Sequence, residues 1–550
     1  MRGHLKFALL AATGASALWA QTADEATRRN PQLPEANCLS AATGGEAPAR
    51  DDPPMLVDGL GYAGLEADTD RADAQAWFAQ GVRLIWAFDE AEAIRAFAEA
   101  QRLDPDCAMC FFGEAWARSP TINLRPRTQE LGAARAAAQR AVALSAGLSD
   151  RDRMLVRAMA LRTGASEAFA DGPYAAFIEA AALRLPQDDT LAIMAADARM
   201  QVEEEMVPGS LSQRLLERVL ARNPGHGGAI HFYIHLTDWI DRQHLAVPHA
   251  ERLGRIAPAA SHLVHMPSHS FYGVGRYRDA AAVNVAAIAA DRAYADRVRP
   301  PPSDYRRGLR RHNMHFAMNS ALARGDGATA LAVADQFRGE FMGDEAVMSR
   351  LLASSVHYAA GLHGDVDEVL GGPEPETALD KALHHYARGE ALTRIGDARR
   401  VAAEAQALAR LRDGTDSPAL GRFGTPLAEV FQHVLEGRAA MMAGDHAAAA
   451  TAYRKAMETQ LAAGFGSDPP IFWYSVRRSL AAALLAGGDA EAARNQLLAS
   501  LRRWPNDGLA LFTLSLAERR LGDVGAADRS LDRARAAWAG DVTQVPLSRI

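Results

Sequence analysis

Histidines are concentrated in one stretch of this chain. Ten of the seventeen lie between residues 226 and 315, and none lies between residues 4 and 226. Three groups have members three or four residues apart: His231 and His235; His262, His265 and His269; His312 and His315. Such spacing places side chains on one face of a helix. Because imidazole is the commonest protein ligand for zinc, copper and iron, the cluster is the first candidate for chemistry.

We expect a transition-metal site, holding copper or zinc, in which helices from neighbouring repeats each contribute a pair of imidazoles. Its predicted ligands are His231, His235, His265 and His269, with His312 and His315 as a third pair that binds a second ion or completes the first. His262 is an alternative partner for His269. Asp238, about one turn beyond His235, offers a carboxylate ligand or a group that orients one. The alternative is that these histidines are polar contacts in a solvated groove or hydrogen-bonded core residues.

A pair of cysteines is the second chemical feature. Cys107 and Cys110 stand at the start of a predicted helix, where the helix dipole lowers the pKa of a thiol. They can form a local or redox-active disulfide, or act as two soft metal ligands. No histidine follows Cys110, so the haem-attachment motif is absent. Glu114, one turn beyond Cys110, is a candidate catalytic base together with Asp238 and Glu90.

The amino-acid composition predicts the type of secondary structure that carries the candidate residues. Nearly half of the 550 residues are apolar (49%), and alanine and leucine dominate while aromatic residues make up only 7%. This bias predicts an all-α protein. The net charge of −7 is modest, and the absence of a basic stripe argues against nucleic-acid binding.

One sequence pattern recurs after residue 70. An amphipathic helix around Trp77 to Phe88 is followed by a turn, a second amphipathic helix and the stop Asp104-Pro105. Further copies have their turns at Gly275-Arg276, Gly444-Asp445, Gly487-Gly488 and Gly522-Asp523. This is the tetratricopeptide repeat (TPR) pattern of paired helices. We expect one right-handed superhelical solenoid, in which a kink or helix restart at Pro267 separates His269 from His262 and His265.

The sequence divides into four predicted segments. Residues 1–20 have the basic start and short apolar run of a secretory signal peptide, which predicts a periplasmic or secreted protein without a stable membrane span. Residues 21–70 are predicted to form a weakly ordered lead-in. Residues 71–300 form an N-terminal array with the His-rich site, and residues 301–550 form a C-terminal array.

Several strings resemble a family of exported bacterial TPR proteins. They are Asp104-Pro105-Asp106-Cys107-Ala108-Met109-Cys110, His231-Phe232-Tyr233-Ile234-His235, His262-Leu263-Val264-His265-Met266-Pro267-Ser268-His269 and Trp473-Tyr474-Ser475-Val476-Arg477. The resemblance covers residues 75 to 540 and implies the TPR fold, but no settled activity. Two segments depart from it: Asp89-Glu90 stands where the family often has Asn-His, and Ser119-Pro120-Thr121 stands where it often has Gly-Pro-Asn.

These observations support two hypotheses of function. The first is an exported TPR solenoid with a copper or zinc site in its groove, acting as a metal-dependent oxidase or hydrolase on a small organic or peptide substrate. The second is a non-catalytic scaffold whose groove binds a peptide or a partner protein.

Overall fold

The regular structure of the described chain is helical, with no strand. The computed structural model describes residues 54–123, 128–165, 167–344, 346–415, 417–464 and 469–550. The predicted signal peptide, residues 1–20, and most of the predicted lead-in lie outside these residues. The all-α fold class is thereby confirmed, and the handedness of the superhelix stays a prediction.

The first half of the chain contains thirteen described helices. They are α1 (Ala72–Trp86), α2 (Glu90–Leu103), α3 (Ala108–Ala117), α4 (Thr128–Leu144), α5 (Asp150–Thr163), α6 (Asp171–Arg184), α7 (Asp189–Val202), α8 (Leu211–Arg222), α9 (Gly227–Trp239), α10 (Val247–Ile256), α11 (Ser261–His265), α12 (Pro267–Gly273) and α13 (Tyr277–Val298).

The second half contains another thirteen within the described residues. They are α14 (Asp304–Ala323), α15 (Gly327–Phe341), α16 (Val347–Leu352), α17 (Ser354–His363), α18 (Val366–Gly371), α19 (Ala378–Arg394), α20 (Ala398–Asp413), α21 (Ser417–Met442, kinked at Gly421), α22 (His446–Ala463), α23 (Arg477–Ala486), α24 (Ala490–Arg503), α25 (Gly508–Arg520) and α26 (Val524–Ala537). Short 3-10 turns occupy Ser145–Gly147, Gln243–Leu245, Val542–Gln544 and Leu547–Arg549.

Consecutive helices pack as hairpins, as the TPR pattern requires. Small residues allow the helices to approach closely. A Cβ atom at Gly81 of α1 would lie 2.6 Å from the ring of Phe97 in α2, and one at Gly113 of α3 would lie 2.3 Å from the same ring. The buried Phe97 therefore joins three successive helices.

Five of the hairpin turns share a two-residue pattern. A glycine followed by an aspartate joins five helix pairs of the described chain: Gly325-Asp326, Gly396-Asp397, Gly444-Asp445, Gly488-Asp489 and Gly522-Asp523. Each glycine has a positive φ and ends the first helix, which glycine tolerates because it lacks a Cβ. Each aspartate caps the second helix by accepting a hydrogen bond from the backbone N–H three residues on.

An extended segment packs on the N-terminal helices. Residues 54–70 are the described part of the predicted lead-in, and Val57, Leu60 and Leu65 are buried. The carbonyl of Ala63 accepts a hydrogen bond from the indole of Trp86 (2.8 Å), and that of Gly59 accepts one from the backbone of Ala259 (2.9 Å). The segment therefore ties α1 to the chain that leads into α11.

A second non-helical segment packs inside the C-terminal helices. Residues 469–476 place Phe472 against the rings of Tyr358 (5.9 Å between centroids), Tyr386 (5.9 Å) and Phe431 (6.0 Å). These three residues belong to α17, α19 and α21. The amide of Asn319 donates to the carbonyl of Pro470 (3.0 Å). The chain itself therefore fills the space between these helices.

The last helix pairs return to the middle of the chain. The amide of Asn506 donates to the carbonyl of Gly275 (3.3 Å), and Ala539 donates its backbone N–H to Arg324 (2.7 Å). Trp538 packs against Gly325, where a Cβ atom would lie 2.4 Å from the indole. No helix among the described residues combines the length and apolar character needed to cross a membrane.

We predict that Gly325→Ala destabilises the protein more than Gly396→Ala. Both glycines have a positive φ, so alanine costs about 1 kcal/mol of backbone strain at either position. At Gly396 a Cβ atom meets nothing within 4 Å, whereas at Gly325 it displaces the indole of Trp538. The crowding adds about 1–3 kcal/mol. Urea unfolding measures both losses, and equal losses would contradict the contact with Trp538.

Candidate metal centre

Helix α9 presents the first two histidines on one buried face. His231 and His235 are four residues apart, and both are buried. The helix packs against α1 at Gly228, where a Cβ atom would lie 2.7 Å from the indole of Trp86. This close approach brings the carbonyl oxygen of Trp86 to 2.7 Å from Nδ1 of His231.

His262 of α11 completes a first triad of imidazoles. Its Nε2 lies 2.9 Å from Nε2 of His231, which in turn lies 3.1 Å from Nε2 of His235. The three side chains can each offer a nitrogen within 4.8 Å of the others. Zn–N bonds of about 2.0–2.1 Å place two tetrahedral ligand nitrogens roughly 3.3 Å apart. The first triad is therefore close to the geometry of one bound ion.

The ring N–H protons and nitrogen lone pairs of the first triad suit a bound cation better than a hydrogen-bond network. A carbonyl only accepts, so Nδ1 of His231 carries the proton that is donated to Trp86, and its Nε2 carries a lone pair. One lone pair accepts one good hydrogen bond, yet two other Nε2 atoms lie within 3.1 Å of it. A metal ion satisfies all three nitrogens at once.

A second triad forms from three different helices. His265 ends α11, His269 lies on α12 and His312 on α14, and all three are buried. Nε2 of His265 lies 2.9 Å from Nε2 of His269, and the ring of His312 lies 4.8 Å from that of His265. As expected, the helix restarts at Pro267, so His269 stands on a separate short helix.

Asn284 orients the second triad. Its amide nitrogen donates to the carbonyl of Ala280 (2.8 Å), which leaves its Oδ1 facing Nδ1 of His265 at 2.6 Å. The proton of His265 therefore sits on Nδ1, and its Nε2 lone pair points towards His269. A hydrogen bond to the remote ring nitrogen is the usual support of a metal-binding histidine.

The two triads are adjacent. The rings of His235 and His269 are 6.0 Å apart between centroids, and those of His262 and His265 are 5.9 Å apart. The six imidazoles thus form one continuous group, which we call the six-histidine centre. Among the described residues, neither triad includes a carboxylate or a thiol.

Burial keeps four of these imidazoles neutral. It lowers the pKa of His231 to about 3, and it lowers the pKa values of His235, His262 and His312 well below the usual 6.5. Neighbouring histidines lower these values further, because a second positive charge beside the first is unfavourable. Neutral imidazole is the form that binds metal.

The structure brings together five of the six histidines predicted as ligands: His231, His235, His265, His269 and His312. It adds His262, which the sequence offered only as an alternative partner for His269. The three-residue spacing of His262 and His265 marks His262 as a candidate, but it does not reveal that the two residues belong to different triads. Their role as ligands stays a prediction.

His315 lies outside both triads. Its Nδ1 faces the hydroxyl of Ser355 (2.8 Å), and its Nε2 faces the amide of Asn319 (3.2 Å). Three residues along a helix correspond to a rotation of about 60° away from His312. That rotation turns His315 towards α17 and away from the six-histidine centre.

The two predicted catalytic carboxylates also lie outside the triads. Asp238 accepts a hydrogen bond from the amide of Gln243 (3.0 Å). Glu114 pairs with Arg118 (2.9 Å) and accepts from Gln101 (2.8 Å). Glu90 is half-buried, and desolvation of its carboxyl group raises its pKa well above the usual value. Neither triad contains any of these three carboxylates.

Cys107 and Cys110 form a disulfide at the start of α3. Of the alternatives left open by the sequence, the structure shows the local disulfide. Both residues are buried, and neither belongs to a triad. With their sulfur atoms bonded to each other, they do not provide thiolate ligands.

The turn beside the first triad lacks the Gly-Asp pair. Phe88 and Asp89 join α1 to α2 with the same backbone hydrogen bonds as the glycine turns. Phe88 has a positive φ of 56°, and its ring lies 4.3 Å from that of His231. Asp89 makes no capping bond and pairs with Arg306 instead. Backbone strain of about 1–2 kcal/mol is thus retained where a ring covers the first triad.

A pocket adjoins the first triad. His262 forms part of its wall together with Leu60, Asp89, Ser261, Asp291 and Arg306. Arg306 is paired with Asp89 and lies over the ring of Tyr294 (4.4 Å to the centroid), while Asp291 is paired with Arg310 (2.5 Å). The pocket therefore combines apolar walls with paired charges beside one candidate ligand.

Comparisons with known proteins found solved structures of low similarity and no similar sequence. No protein-family model matches the sequence, and no curated protein sequence does. Similar solved structures include a human IFIT1 dimer with m7Gppp-AAAA (12% identity, 85% of this chain and 91% of that chain, TM-score 0.27). Others are the APC/C hetero-tetramer Cut9–Hcn1 (11%, 86% and 88%, TM-score 0.26) and the P58(IPK) TPR domain (13%, 82% and 99%, TM-score 0.23). With such TM-scores these structures give no indication of function.

The low pKa values predict that the metal-free protein loses stability in acid. Unfolding restores a pKa near 6.5, whereas folded His231 stays neutral down to about pH 3. Below pH 6.5 the unfolded state therefore binds more protons. The free energy of unfolding should fall between about pH 6.5 and 3, by up to roughly 1.4 kcal/mol per pH unit for each such histidine.

Urea unfolding of the chelator-treated protein at several pH values measures this slope. We expect a shallower slope for His262→Asn, which removes one buried imidazole, and an unchanged slope for His244→Asn, which alters an exposed one. Identical slopes for the two variants would contradict the assignment of the acid sensitivity to the six-histidine centre.

Proposed function

We propose that this protein binds two transition-metal ions, copper or zinc, one in each triad of the six-histidine centre. The observation that carries the proposal is the convergence of three buried imidazoles in each of two adjacent triads. Ligation by nitrogen alone suits copper and zinc, whereas calcium and magnesium prefer oxygen ligands.

The surroundings of each triad support ligation. Nδ1 of His231 is engaged by the carbonyl of Trp86, and Nδ1 of His265 by Asn284. Both bonds direct an Nε2 lone pair into a triad. Buried polar atoms are normally hydrogen-bonded, but Nε2 of His312 has no hydrogen-bond partner. If His312 had only a structural role, the desolvation cost of this nitrogen would not be compensated.

A small external ligand in the pocket beside His262 would lie close to the first ion. The pocket is the place we propose for a substrate if the centre is catalytic, since a three-coordinate ion keeps a position open for an external ligand. An exported location, as residues 1–20 suggest, would also suit the disulfide at Cys107 and Cys110.

The competing proposal is a scaffold that binds a peptide or a partner protein. The repeat fold favours it in general. In this chain, however, residues 54–70 and residues 469–476 already pack on helices of the two halves. A metal-free protein that binds a partner equally well with and without His262 would support the scaffold.

We predict two bound ions per chain in purified mature protein loaded with copper or zinc. His262→Ala and His312→Ala should each reduce this to about one ion, and the double variant should bind none tightly. Each change removes one of three ligands from a triad. Elemental analysis after gel filtration and titration calorimetry measure the stoichiometry.

Two matched controls test the residue assignment. His244→Asn alters an exposed histidine, and His315→Gln alters a buried one outside the triads. Both should retain two ions per chain. Loss of an ion in His315→Gln with the fold intact by circular dichroism, or no effect of His262→Ala, would contradict the two triads as metal sites.

A further inference from the structure

We infer that the two ions are a copper pair and that the six-histidine centre binds dioxygen between them. The inference rests on the proposed two-ion site and adds the oxidation state, the ligand and the reaction. It follows from three features of the centre: the charge of its ligands, the adjacency of the triads and the apolar rings around them.

Charge is the first feature. All six candidate ligands are imidazoles, which bind a metal in their uncharged form, and among the described residues no carboxylate or thiol belongs to either triad. Two zinc ions would place a charge of +4 in a buried volume without an anionic protein ligand, and burying uncompensated charge is costly. Two Cu(I) ions place only +2 there. The ligand set therefore favours the monovalent pair.

The redox chemistry of copper keeps the total charge of the centre at +2. Each Cu(I) gives one electron to dioxygen, which becomes peroxide with a charge of −2, and both ions become Cu(II). The sum is +2 before and after, so no counter-ion has to enter the buried centre. Release of dioxygen returns both electrons to the metals. No external reductant is needed for this binding step, and zinc cannot perform it because it has no redox chemistry.

The adjacency of the triads is the second feature. Rings from opposite triads approach to 5.9 Å and 6.0 Å between centroids, at two separate places. With three imidazoles on each ion, each keeps a further coordination position for an external ligand. Protein sites with two metals commonly hold them about 3.5–4 Å apart and act on one ligand together. A diatomic molecule can then contact both ions.

The apolar surroundings are the third feature. The ring of Phe88 covers the first triad, 4.3 Å from His231 and 5.6 Å from His262. Phe316 covers the second triad, 5.2 Å from His269 and 5.5 Å from His265. Phenylalanine rings exclude water and carry no proton donor, so bound peroxide is protected from protonation and loss. The strained backbone of Phe88 is explained by this covering role.

The pocket beside His262 is the route that we propose for dioxygen to reach the centre. Its wall includes His262, and its apolar side includes Leu60 and Leu309. Dioxygen is small and apolar, so a narrow pocket with paired charges admits it.

The test is dioxygen uptake by the copper-loaded protein. Full-length mature protein is loaded with two equivalents of Cu(I) without oxygen, and oxygen-saturated buffer is then added. We expect about one dioxygen taken up for every two copper ions, a new charge-transfer absorption band, and no Cu(II) signal in electron paramagnetic resonance because two bridged Cu(II) ions couple. Removing oxygen should reverse the absorption. Zinc-loaded protein should take up none.

Variants distinguish dioxygen binding by a copper pair from binding by a single copper ion. His262→Ala and the more conservative His262→Gln should keep the second copper, lose at least tenfold in dioxygen uptake, and show the resonance of an isolated Cu(II) after oxidation. His244→Asn should behave as the unaltered protein. Two bound coppers without dioxygen uptake would overturn this inference and leave the two-ion proposal standing. Failure of the unaltered protein to bind metal would overturn both.

Discussion

The central constraint in the N-terminal half of this structure is that ring nitrogens of several buried histidines lie within hydrogen-bonding distance of one another. His231 has its only ring proton committed to the carbonyl of Trp86, and two more Nε2 atoms lie within 3.1 Å of its lone pair. Charging the rings by protonation is suppressed by burial. Three nitrogens that compete for so few protons suit a cation, and the proposed metal centre rests on this arrangement.

Particular backbone positions in the helical array bring these histidines together. Gly228 allows α9 to approach Trp86, and Pro267 divides the histidine-rich segment into two short helices. His265 and His269 then meet from separate helices, while His262 turns towards α9. Neighbouring repeats therefore contribute to one centre, and no single hairpin contains a complete triad.

The turn at Phe88 and Asp89, which lacks the Gly-Asp pair, also lies beside the first triad. Five hairpins of the described chain use glycine and a capping aspartate, and this one uses a strained phenylalanine and an aspartate that pairs with Arg306. Stability is lost at that turn, and the ring of Phe88 is held against His231 in return. Natural sequences break local rules mainly where function requires it.

The sequence by itself determined the helical class, the hairpin turns and the pairs of histidines on single helices, because these depend on propensity and on spacing within one element. Only the tertiary structure decided that His262 joins His231 and His235, and that His315 and Asp238 stand apart. It also decided that the cysteines form a disulfide away from the triads. The reason is that contacts between helices depend on the rotation and offset of each helix against its neighbours. A shift of about 60° between His312 and His315 sends two residues of one motif to different places, and spacing along the chain does not specify which neighbour each one faces.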